Sequence, residues 1–402
     1  MAGNTIFIRR VIIRNYKSIA NCDVTLGPLT WLVGANGSGK SNFLDALHFV
    51  RDSLDNSLEN ALRERGGISE VRRRSSGHPT HFGLRVEFIL PDGSNGMYAF
   101  NVAALPNNAY EVQKEECRIG KNKQGPHFLI ERGILKDTSE AIMPKTLPDR
   151  LALVSVSGLA AFRPLHDALV GMSFYNLNPK TIREPQKPQD GRFLRSAGEN
   201  LASVIAHLKN SAPESLNLIQ EYLKKVVPSV HSLERKAIGP METLTFKQDV
   251  KGGKYPWEFY AQNMSDGTLR ATGVLTSLFQ TSENHRPSLV GIEEPETALH
   301  PAASAALREA LVRSSKQTQV IVTSHSPDLL DDSGIDSSSI LAVVAEGGET
   351  KIAKIDNSSR EALNTHLTTA GELLRLNQIQ PDKTVLDAQS QRQPDLFAQD
   401  IE

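Results

Sequence analysis

Gly34-Ala-Asn-Gly-Ser-Gly-Lys-Ser41 sets three glycines, a lysine and a hydroxyl at the spacing that wraps a triphosphate. Backbone N–H groups must come close to the phosphate oxygens, and side chains at Gly34, Gly37 and Gly39 would obstruct them. Lys40 offers a cation to the β- and γ-phosphates, and Ser41 offers a hydroxyl to Mg²⁺. Asn36, Ser38 and Asn42 complete the residues expected around the nucleotide. Far downstream, Leu289-Val-Gly-Ile-Glu-Glu-Pro-Glu296 is an apolar run ending in acids. Glu293 is placed to join the Mg²⁺ shell, and Glu294 to act on an attacking water as general base. The alternative is a strand that ends in a solvated acidic turn. Gln319-Val-Ile-Val-Thr-Ser-His-Ser326 ends another apolar run with Thr323, Ser324 and His325, which would lie near the γ-phosphate. Met264-Ser-Asp-Gly-Thr268 brings Ser265 and Gly267 to a helix start that suits an anion, although Ser-Asp-Gly is also an ordinary N-cap.

These groups need particular elements beneath them. Leu29 to Val33 reads as a short buried strand entering the glycine loop. Phe43, Leu47, Val50 and Leu54 then recur at helical spacing, so phosphates would sit at a helix N-terminus. Leu84, Val86, Phe88 and Leu90 alternate with Arg85, Glu87 and Ile89. With 97–104 and 110–119 also extended, the spacing predicts an antiparallel sheet beside the loop. Residues 140–230 read as mainly helical, with Leu201, Val204, Ile205 and Leu208 on one face and Leu218, Tyr222, Leu223 and Val226 on another. Leu269, Val274, Leu275 and Leu278 continue the helix after Ser265. A hairpin of 340–345 and 351–355 turns at Gly347-Gly348.

The 402 residues allow one large domain with an insertion, or two domains. A formal charge of −1 gives no general field toward nucleic acid or a membrane, so any such binding must be local. Cys22 and Cys117 are the cysteines, and neither has ligands at metal spacing, which indicates no disulfide framework or zinc site and fits a reducing cytoplasm. No stretch approaches the roughly 18 apolar residues of a membrane span, and no secretory leader or long heptad run is visible.

With these motifs in this order, the chain resembles the ABC-type ATPase heads of the SMC, RecF and OLD group, in particular compact AAA-type ATPases of bacterial operons. The resemblance covers nearly the whole chain. It begins at Val11-Ile-Ile-Arg-Asn-Tyr-Lys-Ser-Ile19 and runs through Gly34 to Asn42. It continues with Ser265–Thr268 as signature, Ile292–Glu296 as Walker B, Leu299-His-Pro301 as D-loop region and His325 as switch histidine. It implies an α/β fold, a P-loop NTPase of ABC-ATPase type with an antiparallel β lobe and an inserted helical lobe. The expected segments are 1–139 for the first ATPase lobe, 140–260 for the helical lobe, 261–370 for the C-terminal core and 371–402 for a partly disordered tail. It also implies a homodimer in which Ser265 and Gly267 of one subunit meet the ATP held by the other, and Lys17 resembles a basic position that reaches the nucleotide or signature loop.

Three points depart from the family pattern. Glu293 stands where an aspartate is usual. The Q-loop glutamine is unplaced, with Gln113 a candidate inside a strand. Residues 326–402 are too few for the TOPRIM nuclease that follows the ATPase in OLD proteins, so a nuclease partner is expected as a separate polypeptide. Arg72, Arg73 and Arg74 would contact a nucleic-acid backbone or a partner's acids, or form a solvated loop. Gln393-Pro-Asp-Leu-Phe397 resembles peptides that bind the bacterial replication sliding clamp, the alternative being a Leu-Phe pair docked on its own domain. The expected function is a cytoplasmic ATPase, using ATP and Mg²⁺, whose head dimerisation controls a DNA-processing or antiphage-defence effector. A slowly hydrolysing ATP-gated scaffold or clamp is the alternative, and a transporter's nucleotide-binding subunit fits the signature less well.

Overall fold

A computed structural model of the chain describes residues 6–75, 77, 79–120, 125–282, 285–391 and 395–397. Two compact units emerge: Met1–Met172 with Asp336–Thr368 and Leu376–Glu402, and Ser173–Ile335 with Thr369–Arg375.

The first unit opens with the antiparallel hairpin β1 (Ile8–Tyr16) and β2 (Ile19–Thr25). Strand β3 (Leu29–Val33) feeds the glycine loop, and α1 (Lys40–Asp55) leaves it. Phe43, Leu47, Val50 and Leu54 of α1 are all buried, as their spacing predicts. An antiparallel meander follows: β4 (His81–Ile89), β5 (Asn95–Ala104), β6 (Tyr110–Ile119), β7 (His127–Glu131) and β8 (Ile134–Thr138). Phe82, Leu84, Val86 and Phe88 of β4 belong to the core. There the rings of Tyr16, Phe49 and Phe82 meet edge to face at 5.4–5.8 Å.

The chain then crosses into the second unit. Strands β9 (Ser173–Tyr175), β13 (Leu289–Glu293) and β14 (Gln319–Ser324) are parallel, with β13 in the middle. Between β9 and β13 come α2 (Leu201–Ser211), α3 (Pro213–Val226) and an antiparallel sheet of β10 (Val230–Ile238), β11 (Met241–Gln248) and β12 (Trp257–Tyr260). Helix α4 (Asp266–Phe279) is buried at every position from Thr268 on, and α5 (Ser304–Ser315) joins β13 to β14. The apolar stripe of α2 is the expected one. On α3 it consists of Leu216, Ile219, Tyr222 and Leu223, while Leu218 and Val226 stay partly exposed. The stacking of Tyr222 on Phe279, at 5.4 Å, sets that rotation.

Back in the first unit, β15 (Ile340–Glu346) and β16 (Glu349–Lys354) form the expected hairpin, with positive φ at Gly347 and Gly348. β15 pairs parallel to β3, so this unit's mixed sheet runs β8-β7-β6-β5-β4-β1-β2-β16-β15-β3.

The units do not divide at 140, 261 and 371. Short helices at Ala152–Val156 and Arg163–Val170 pack on α1, and Phe162 meets Phe128 at 5.3 Å, which keeps 140–172 with the N-terminal sheet. Within the expected tail, part of the chain is helical. Helix α6 (Lys383–Gln391) lies against β2 and β16, and Gln389 Nε2 donates to the Asp23 carbonyl at 2.8 Å. Gln393 and Pro394 of the clamp-like peptide lie outside the described residues.

A buried carboxylate fixes the join to residues 152–156. Glu115 accepts from the backbone of Ala152 (2.5 Å) and Leu153 (2.9 Å) and from the Tyr98 hydroxyl (2.9 Å). Burial pushes its pKa up from 4.5 to about 7 against those three donors. The folded chain therefore holds this proton more tightly than the unfolded chain. Its contribution to stability is greatest at acid pH and is lost as pH rises from 4.5 to about 7. Denaturant titrations across that range should show a decline of up to about 3 kcal/mol that is absent from Glu115→Gln. Equal slopes in the two proteins would rule the residue out as the cause.

Candidate functional site

In the first unit the glycine loop lies tightly on the β15–β16 hairpin. A Cβ at Gly34 would fall 2.0 Å from the Val343 carbonyl oxygen, and one at Gly39 would fall 1.9 Å from Thr350 Oγ1. At Gly37 the same position meets nothing within 4 Å, so the loop is braced beneath and open above. Lys40 is buried, with Nζ donating to the carbonyls of Gly34 (2.8 Å) and Ala35 (2.9 Å). The buried Ser38 hydroxyl has no partner among the described residues. No side chain caps α1, whose N-cap is the left-handed Gly39, and its first turn carries no acid. A cradle of backbone, a buried cation and an uncapped helix N-terminus suit an anion such as a phosphate group.

Residues that sequence reasoning passed over hold this cradle. Thr350, 1% exposed, donates to the Ser38 carbonyl at 2.9 Å and exchanges a 2.6 Å hydrogen bond with Ser18, to which Asn42 also donates at 2.6 Å. Asn42 thus braces the loop. Lys17 pairs with Asp45 at 2.6 Å, where Tyr16 and Arg65 also bind. Burial raises the Asp45 pKa, yet Arg65 and Lys17 together bring it below the ordinary value. Each arginine of the basic run is engaged within the fold: Arg72 with the Pro79 carbonyl, Arg73 with Glu349 and Arg74 with Glu70. Gln113 lies on β6 and accepts from Asn101 at 3.4 Å, remote from β3 in strand order, so the Q-loop candidacy fails.

The second unit gathers the acids. Parallel strands carry functional groups at their carboxyl ends. Here β13 ends in Glu293, β14 runs into Ser324 and His325, and β9 leads into exposed Asn176, next in register to Glu293. Glu294 has a left-handed backbone, φ 43°, a conformation costing about 1–3 kcal/mol in a non-glycine residue. Its N–H donates to the Thr323 carbonyl at 3.0 Å, and its carboxylate meets His325 Nδ1 at 3.1 Å. Glu296 accepts from the Ser324 hydroxyl (2.6 Å) and the His325 N–H (3.3 Å), fixing the turn that carries the histidine. Arg270 donates from α4 to the carbonyls of Leu177, Glu293 and Glu294 at 2.6–3.0 Å. Burial draws its pKa down against the pull of Glu296, Glu294 and Glu293. Sequence reasoning missed Arg270, Glu296 and Asn176, and only Glu296 lay inside a motif already singled out.

Ser265 caps α4, accepting from the Thr268 N–H at 3.2 Å, so the ordinary N-cap role is present whatever else the residue does. Arg183 bonds Met264 and Asp266 in the same turn. His300 caps the short helix at Pro301–Ala303. Gly267 permits a close approach, since a Cβ there would fall 2.4 Å from the Ala298 carbonyl oxygen. Gly267→Ala should therefore cost about 1–3 kcal/mol, read by denaturant unfolding. An unchanged midpoint would show that the loop can move aside.

Two family models match. "AAA domain, putative AbiEii toxin, Type IV TA system" covers residues 130–331, and "AAA ATPase domain" covers residues 7–130. The chain is 24% identical over 355 residues to the Old nuclease of Escherichia phage P2, covering 81% of this chain and 57% of that protein. It is 22% identical over 230 residues to the DNA replication and repair protein RecF of Rickettsia canadensis (strain McKiel), covering 55% and 58%. The chain thus spans less than two thirds of either relative. A crystal structure of SmcHead bound to the C-winged helix domain of ScpA superposes with a TM-score of 0.57 at 17% identity, covering 88% of this chain and 99% of that one, a likeness of fold.

Proposed function

The chain belongs to the AAA-domain ATPase family, as an SMC/RecF/OLD-like ABC-type member, and from that premise we propose that it binds and hydrolyses ATP to switch a dimer of heads. The observation that carries the hydrolytic part is Glu294, held in a left-handed turn with its carboxylate 3.1 Å from His325. Asn36, Gly37, Ser38, Gly39 and Lys40 hold the phosphates, with Asn42 bracing the loop from behind. The Ser41 hydroxyl and the Glu293 carboxylate are hard oxygen donors of the kind Mg²⁺ takes. When bound, Mg²⁺ would neutralise charge building on the transferred phosphoryl group. Glu294 accepts the proton of the attacking water, and His325 fixes that carboxylate's direction. Ser265 and Gly267 bind the nucleotide of a second subunit, so that ATP closes the dimer and hydrolysis opens it.

The purpose of the switch is proposed from the relatives: control of a separately encoded DNA-processing or antiphage effector, such as a nuclease, in the cytoplasm. No helix among the described residues is long and apolar enough to cross a membrane. Glu293, longer than the usual aspartate, favours a second reading in which slow hydrolysis merely resets an ATP-gated scaffold. Phosphate release per subunit separates the two, and the mass of the protein with and without ATP and Mg²⁺ tests the dimer. A mass unmoved by ATP would defeat the head-dimer reading.

A further inference from the structure

The N-terminal sheet has an unusual second face. Opposite its apolar side, β4 presents Gly83, Arg85 and Glu87, which register with Asn101, Ala99 and Met97 of β5. Such a polar face would ordinarily be solvated, yet Arg85 and Glu87 are 1% and 2% exposed. Part of the cover is the C-terminal segment. Leu396 is 3% exposed, with Cδ1 2.3 Å from where a Gly83 Cβ would stand, so the missing side chain of Gly83 makes its seat. The Leu396 carbonyl accepts from Arg85 Nη1 at 3.4 Å, and Lys114 of β6 lies 4.4 Å from the centre of the Phe397 ring. Asp395 turns the chain there by accepting from the Phe397 N–H at 2.9 Å.

We propose that Asp395-Leu-Phe397 is a detachable internal ligand of this sheet face, and that docking withholds its Leu-Phe pair from a protein whose apolar cleft would take both side chains. Among the described residues the hold includes one seated leucine, a long hydrogen bond and a cation–π contact. Beneath it, the buried Arg85–Glu87 pair (2.7 Å) would regain water if the segment left. Buried ion pairs gain little from being covered, so departure is not strongly opposed. The same two side chains cannot fill the Gly83 seat and a second cleft at once, and the docked and captured states exclude each other. This inference is independent of the ATPase reading.

The test uses the full chain. Cys22 and Cys117 are buried, so a nitroxide attached through Ala398→Cys reports on the tail alone. The label should be slow in the otherwise unaltered chain. It should be at least threefold faster in Gly83→Val, which fills the seat, and in Leu396→Ala, which removes its occupant and guards against a folding defect in the first variant. A bacterial sliding clamp then serves as probe of the exposed peptide. Gly83→Val should bind it at least tenfold more tightly than the wild-type chain, and Leu396→Ala should not. Equal label mobility in all three proteins would overturn the docking. Equal clamp affinity for the wild type and Gly83→Val, including none from either, would overturn the withholding.

Discussion

Lys40→Ala should bind ATP about 100-fold or more weakly, with little change in the melting temperature of the nucleotide-free protein. The ammonium is buried inside the glycine loop and held by the carbonyls of Gly34 and Ala35, so it is already oriented before an anion arrives. Charge-assisted hydrogen bonds at a desolvated position are strong, and truncating one partner commonly costs about 2–5 kcal/mol. The loop itself should survive. Its close approaches to Val343 and Thr350 and the Ser18–Thr350–Ser38 bonds do not involve the lysine side chain. Thermal unfolding with and without ATP gives the readout. At 100 times its dissociation constant, ATP should stabilise the wild type by about 2.7 kcal/mol, and the variant at the same concentration by a few tenths at most. Equal stabilisation of both proteins would mean that the nucleotide is held elsewhere, and the phosphate-loop assignment would fall.

What the sequence disclosed follows from how far apart the cooperating residues lie along the chain. Gly34 to Asn42 is contiguous, and a short apolar strand before it and a 3.6-residue stripe after it set its context. The acids after Ile292 and the histidine after Ser324 were legible for the same reason, since each ends its own strand. Thr350 was not, because it meets Ser18 across 332 residues and sits in a hairpin with no motif. Arg270 looked like one more polar position on a helix, and its role depends on three carbonyls that folding brings beneath it. Asn176 follows a three-residue strand, too short to leave a period. Alternation separates Arg85 and Glu87 from Leu84, Val86 and Phe88 on opposite faces of the strand, but local pattern carries no sign of the distant segment that covers them. The unit boundaries were hidden because the chain leaves and re-enters each unit, so composition along the sequence cannot trace them.

Glu294→Gln should retain ATP, lose turnover by about 10²–10⁴-fold, and accumulate as the ATP-bound dimer. Glutamine keeps the length and an acceptor oxygen for His325, so the 3.1 Å contact and the left-handed turn remain available while the proton acceptor is lost. A loss confined to the chemical step leaves the phosphate loop able to bind, which separates this variant from Lys40→Ala. The wild-type rate decides between the two functional readings. If wild-type phosphate release is fast and the variant's is not, Glu294 is the base and hydrolysis drives the cycle. If the wild type is already as slow as the variant, Glu293 in place of aspartate has left a gate that ATP closes and that seldom reopens by chemistry. Rapid turnover in Glu294→Gln would remove the residue from the mechanism and leave the His325 contact as a structural brace. Mass in solution completes the argument. Doubling with ATP and Mg²⁺ in the variant, reversed by removing the nucleotide, is expected if Ser265 and Gly267 complete a neighbour's site, and disrupting either residue should then abolish doubling without abolishing binding to the monomer.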